Sequence, residues 1–307
     1  MRKHVLKTIG GTAVVIFSLG LAPLRAAPGD VFTSDSGNVY KYDSSGQETL
    51  FATLANGSAK GIVVDALGDV FVSDFVGGAS GETDDSIIKI TPQGVQSVFA
   101  SGLTDPRALA LDSAGDLFVQ PYLSDNLLRF NPQGQMTQIQ GAGDNASTLT
   151  FDGSGNLFAI NAAGGRINEV SSNGTVSPVS FPDISHYNVH AVAVDAAGSL
   201  FVANTDASKP IYKFSDYSSG MWTQSTFVTL DDGAAGITNM ALGNSGDLYV
   251  ALQPDYIEEI DSQGEETFFA TSSGNSFIAV QPVPEPSTWA MAAGVGVMFG
   301  FRTRRHS

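Results

Sequence analysis

Two histidines four residues apart, His186 and His190, are the internal groups best suited to proton transfer, because imidazole titrates near neutral pH. They sit in Ile184-Ser-His186-Tyr-Asn-Val-His190. That spacing would bring two ligands to zinc on one helix face, but the flanking pattern is a loop entering a strand. A second set offers oxygen. Asp74, Asp84, Asp125 and Asn204 are hard ligands of the kind Ca²⁺ or another divalent cation takes. The plain alternatives are a chance loop pair for the histidines and solvated loop side chains for the acids. Other chemistries are excluded. There is no cysteine, hence no disulfide framework, thiolate metal site or thiol nucleophile. No Gly-x-Ser-x-Gly elbow, phosphate loop or dinucleotide fingerprint occurs.

These side chains must be positioned by a repeated unit. Ile62-Val-Val-Asp-Ala-Leu-Gly-Asp-Val-Phe-Val-Ser73 returns at 109–119, 149–158, 192–202 and 240–250. Its turn glycines, Gly68, Gly115, Gly155, Gly198 and Gly246, are spaced by 47, 40, 43 and 48 residues. Two β-rich runs around a Gly-Asp, Gly-Asn or Gly-Ser turn make a hairpin. A second hairpin follows each copy, as in Ile87-Ile-Lys-Ile-Thr-Pro-Gln-Gly94, and Val39-Tyr-Lys-Tyr-Asp-Ser-Ser-Gly46 supplies a sixth. Four strands per roughly 40–48 residues is the metric of a propeller blade; solenoid repeats are shorter. Only five first hairpins are complete. Asp30-Val-Phe-Thr-Ser34 is half a copy, and Phe277-Ile-Ala-Val-Gln281 supplies the missing strand. The sequence therefore predicts an all-β, six-bladed β-propeller over 28–282. Each blade has four antiparallel strands, and the C-terminal strand closes the first. The recurring Asp65, Asp112, Asp152 and Asp195 are expected to stabilise turns rather than build one site.

Both ends read as targeting segments. Arg2, Lys3 and Lys7 precede an apolar run from Ile9 to Leu21, and Ala22-Pro-Leu-Arg-Ala-Ala27 offers cleavage positions, so 1–27 reads as a signal peptide. At the other end, 283–307 combines Val283-Pro284-Glu285-Pro286-Ser287, a mostly apolar stretch from Ala290 to Phe301, and the basic residues Arg302, Arg304 and Arg305. The prolines stop any strand, the apolar run is short for a bilayer, and the arginines favour the cytoplasmic side. This order resembles the PEP-CTERM sorting signal of Gram-negative bacteria. The resemblance implies signal peptidase and an exosortase as processing partners, transient inner-membrane anchoring, and delivery to the outer surface or an exopolysaccharide-containing matrix.

Blade by blade, Gly61-Ile-Val-Val-Asp65-Ala-Leu-Gly68-Asp-Val-Phe-Val-Ser-Asp74 resembles the NHL repeat. That group includes binding scaffolds as well as gluconolactonase-like hydrolases and the streptogramin lyase. The early Glu-Gly-Pro segment of the lactonase-like enzymes is absent; the first blade begins Pro28-Gly29-Asp30. The expected role is accordingly a binding or structural module for extracellular polysaccharide or surface proteins, rather than an enzyme. The alternative is a metal-dependent, lactonase-like hydrolase or lyase at the channel mouth. Charge sharpens this expectation. The chain carries 31 acids and 15 bases, but seven bases lie in the two targeting ends. Residues 28–282 hold 30 acids and 8 bases, a formal −22, which disfavours nucleic acid.

Overall fold

A computed structural model describes residues 29–282 except 56, 78–84, 143–145, 147, 162–165, 180–188, 205–209, 219–220, 231–235 and 274–276. The N-terminal segment read as a signal peptide, the sorting segment, Asp84 and His186 therefore lie outside the described residues. Among the described residues there are strands and turns, and no helix.

Twenty-four strands form six four-stranded antiparallel sheets. Strands β1 (Val31–Asp35), β2 (Asn38–Tyr42) and β3 (Glu48–Thr53) belong to blade one. Blade two is β4 (Ser58–Val64), β5 (Val70–Phe75), β6 (Asp85–Ile90) and β7 (Gln96–Leu103). Blade three is β8 (Pro106–Leu111), β9 (Leu117–Pro121), β10 (Leu127–Phe130) and β11 (Met136–Ile139). Blade four is β12 (Thr148–Phe151), β13 (Leu157–Asn161), β14 (Arg166–Val170) and β15 (Val176–Val179). Blade five is β16 (Val189–Val194), β17 (Leu200–Asn204), β18 (Pro210–Ser218) and β19 (Met221–Thr229). Blade six is β20 (Gly236–Leu242), β21 (Leu248–Gln253), β22 (Tyr256–Ile260) and β23 (Glu266–Thr271). The last strand, β24 (Phe277–Val280), returns to blade one and pairs with β1, with Phe32 opposite Ala279.

The ring is closed. Each innermost strand contacts the next, and β24 contacts both β20 and β4. Hydrophobic burial follows the same logic. Six apolar clusters each join two neighbouring blades, the last pairing Val31 and Tyr42 of blade one with Tyr249 and Ile257 of blade six. Alternation along each strand gives every sheet two apolar faces, so no blade can satisfy itself alone.

Ten of the eleven turns inside the hairpins are five residues long. In 65–69 the Gly68 N–H donates to the Asp65 carbonyl at 3.0 Å and the Asp65 N–H donates to the Asp69 carbonyl at 2.9 Å. This is a type I turn closed by a residue at positive φ, and Gly68 supplies it at φ 85°. The Asp65 carboxylate then accepts the Leu67 and Asp69 N–H groups at 2.8 and 2.9 Å. Asp112, Asp152 and Asp195 repeat this bond pair, as do Asp43, Asn131 and Asp261 in the second hairpins. The recurring acids are structural, as their recurrence suggested.

The outer edges carry a second device. In blades one, two, five and six the register between third and fourth strand slips by one residue, leaving Phe51, Phe99, Phe227 and Phe269 as the extra residues. Each of these rings packs edge-on against the aromatic of its own blade's second strand: Phe32, Phe71, Phe201 and Tyr249, at 5.0–5.3 Å between centroids. A bulge also twists a free edge away from pairing with another chain.

Candidate functional site

The two faces differ. The turn face is uniform, whereas the opposite face carries connections of two to nine residues between second and third strands and between blades. The channel joins them through a cavity of about 370 Å³ lined by the six innermost strands, from Gly61, Ala108 and Asn239 near the loop face to Val64, Leu111 and Pro282 near the turn face. Thr148, Thr150 and Asn239 are its only polar side chains among the described residues, and no acid, base or histidine lines it.

The loop-face residues singled out from sequence fall as follows. Asp74 is not in a loop. It is the penultimate residue of β5, paired with Ala59 and Ser86, and is 7% exposed. Strand pairing simply continues past the point where the polar sequence suggested it stopped. Its Oδ1 has no hydrogen-bond partner among the described residues, and burial, reinforced by Asp85, raises its pKa. Asn204 ends β17 in the equivalent position three blades away and is fully buried. Asp125 is exposed in the β9–β10 loop. His190 lies in β16, with its side chain outside the described set. Among the described residues no three histidine or acidic side chains converge as a metal site.

What the structure does bring together is a network across blades two and three. Asp85, buried at the start of β6, accepts the Val76 N–H through Oδ1 at 2.9 Å and the Asp105 N–H through Oδ2 at 2.7 Å. The Asp105 carbonyl accepts the Tyr122 N–H at 2.9 Å. Arg107 donates to the Asp105 carboxylate from Nε and Nη2, at 3.1 and 2.8 Å, and its guanidinium lies 3.5 Å from the Tyr122 ring centroid. Buried charge is tolerated here because backbone donors satisfy it. Tyr122 (39%) and Leu123 (71%) remain exposed beside it.

The local cause is a bulge that sequence reading missed. At the loop-face end of the innermost strand, the register with the second strand slips in four blades. The extra residue is Lys60 (with Gly61), Arg107, His190 or Thr238. Each precedes the first apolar residue of its repeat by two positions, and that alignment is the signal that could have found them. Bulges commonly re-aim side chains next to functional sites. Lys60 repeats the Arg107 arrangement, its Nζ standing 5.0 Å from the Phe75 centroid. Phe75 and Tyr122 occupy the same place in their blades, five residues beyond the first residue of β5 and β9.

Comparisons with known proteins agree with this architecture. Residues 282–305 match the PEP-CTERM protein-sorting motif. No curated protein matches the chain. Among solved structures, a streptogramin B lyase superposes with a TM-score of 0.58 at 14% identity, covering 84% of this chain and 89% of that one. Nidogen, from its complex with laminin, gives 0.67 at 13%, covering 83% and 99%. A gluconolactonase from Xanthomonas campestris gives 0.57 at 14%, covering 82% and 88%. The chain is thus a six-bladed propeller resembling these proteins, with a C-terminal PEP-CTERM motif that implies export and exosortase sorting to the surface. At these identities the likeness concerns fold, which catalytic and binding propellers share.

Proposed function

We propose that the protein is an exported surface or matrix component of a Gram-negative bacterium whose propeller binds a glycan or protein partner on its loop face. The observation that carries this reading is the separation of the faces. The Gln281 carbonyl accepts the Gly29 N–H at 3.1 Å and the Asn244 side-chain amide at 2.8 Å. Both ends of the propeller therefore leave beside turn 243–247, on the turn face, and the sorting match begins at 282. With 290–301 transiently in the inner membrane, the turn face looks toward the bilayer and the variable loop face looks away from it. Signal peptidase acts at the other end, near Ala26–Ala27.

A glycan array, paired with thermal shift with and without Ca²⁺, tests the reading. Ligand binding with no response to Ca²⁺ supports a binding module. Stabilisation by Ca²⁺ with no ligand bound supports the second reading, a metal-dependent lactonase-like hydrolase or lyase. The place of His190 in a channel-mouth bulge favours that second reading; the uncharged lining of the described channel gives it no acid or metal ligand there.

A further inference from the structure

We propose that the paired cation–aromatic units of blades two and three, Lys60 over Phe75 and Arg107 over Tyr122, form a binding site for an acidic saccharide bearing carboxylates, such as a uronate chain. This rests on the loop-face binding reading and names the ligand class for it.

Three observations converge. First, the basic residues of the propeller are divided by face. Residues 28–282 contain eight, of which Lys209 and the side chain of Arg166 lie outside the described set. On the turn side, Lys41 pairs with Asp30 (2.7 Å), Lys89 with Asp69 (2.6 Å), Arg129 with Asp116 (2.6 Å) and Lys213 with Asp195 (3.6 Å). Lys60 makes no ion pair among the described residues. Arg107 gives only its Nε–Nη2 edge to Asp105, so Nη1 has no hydrogen-bond partner there. Two cations with donors to spare thus stand at one mouth of an otherwise acidic protein.

Second, the two units are built, not incidental. Each cation is the extra residue of a bulge at the same position, and each lies over an aromatic at the same place in the repeat, Phe75 at the end of β5 and Tyr122 just beyond β9. They are also adjacent. A Cβ on Gly61 would collide with the Arg107 carbonyl, so the Lys60–Gly61 bulge seats directly on the next one.

Third, the chemistry selects the ligand. Ammonium and guanidinium donors bind carboxylate, Arg with directed N–H groups and Lys as a point charge. The exposed Tyr122 offers an apolar face to the C–H side of a sugar ring, and Val76 (42% exposed) and Leu123 widen that surface. A densely charged polyanion such as nucleic acid would be repelled by the surrounding −22, whereas one carboxylate per sugar can be met by one cation per blade.

The test is calorimetric titration of the full chain, in mild detergent, with a galacturonate hexamer and with a neutral glucose hexamer. The galacturonate hexamer is expected to bind, more weakly as salt is raised. K60Q and R107Q are each expected to weaken it about tenfold, the scale of one charge-assisted hydrogen bond, while K213Q on the turn side leaves it unchanged. R107K, which keeps the charge and loses the fork, is expected to fall between. Thermal melts of each variant separate lost binding from lost folding. Equal affinity for the neutral hexamer, with K60Q and R107Q unaffected, overturns the acidic site and leaves a glycan-binding face standing. Binding of neither hexamer, with a protein ligand captured at the loop face, overturns the saccharide while sparing the face.

Discussion

At the scale of single residues, Asp74 is a buried carboxylate whose charge is disfavoured by burial and by Asp85. Its equivalents in blades four and five are Asn161 and Asn204, so an amide fits this position of the repeat. Burial raises the folded-state pKa above the unfolded value. The destabilisation therefore begins as pH rises above about 4, the unfolded value, and is complete once pH exceeds the folded one. D74N is expected to stabilise the protein at pH 7 by on the order of 1 kcal/mol, with the gain vanishing below about pH 4. Denaturant titrations at both pH values read this directly. Glu48 is opposite in sense. Partial burial disfavours its charge, but hydrogen bonds from Ser273 and Tyr42 prevail and hold its pKa below the usual range. It ties blade one to the β23–β24 link, and E48Q is expected to lose its effect as pH falls through that lowered value. The turn aspartates give a third residue-scale test. D152A should cost about 1–2 kcal/mol, because two backbone donors lose their acceptor, whereas D152N should retain most of the stability, since Asn131 does the same work in its own turn.

At the scale of elements, the sequence was legible where physics repeats and illegible where it slips by one residue. Gly68 and its relatives announce hairpins because only glycine meets positive φ cheaply, and the strand apolar pattern gives blade number and closure. A bulge leaves no such trace. Phe51 and Leu50 read as ordinary neighbours, although the bulge packs Phe51 on Phe32 and leaves Leu50 61% exposed. Lys60 leaves no trace for the same reason, because it lies inside a strand rather than in a polar loop. Polarity suggests loops at Asp74 and Asn204, but strand pairing runs further and buries both at or next to the end of a strand. The bulge itself is testable. Gly61→Ala sets a methyl against the Arg107 carbonyl, which must move. Thermal melts should show a loss of about 1–3 kcal/mol, and galacturonate binding should weaken with it.

At the scale of the molecule, the propeller is one cooperative ring with two unlike faces. A chain ending at Pro282 should melt as the longer protein does, because β24 is intact. A chain ending at Ser273 lacks β24, uncovers the edge of β1 and removes Ile278 and Ala279 from the blade-one core. It is expected to lose cooperative melting altogether. The absence of cysteine makes orientation measurable too. A dye on Asn173→Cys in the turn face should be quenched by a lipid-borne quencher more strongly than one on Leu123→Cys in the loop face, when the full chain is held in membranes. The most direct test of the central claim, that the loop face is the binding surface, is hydrogen-exchange mapping of the protein with polysaccharide matrix from the cells that produce it. Protection is expected over 75–77, 85–86, 104–108 and 121–126, and none in turns such as 131–135 or 171–175. Protection confined to the turn face or the outer strands, with these loop segments unchanged, would contradict it.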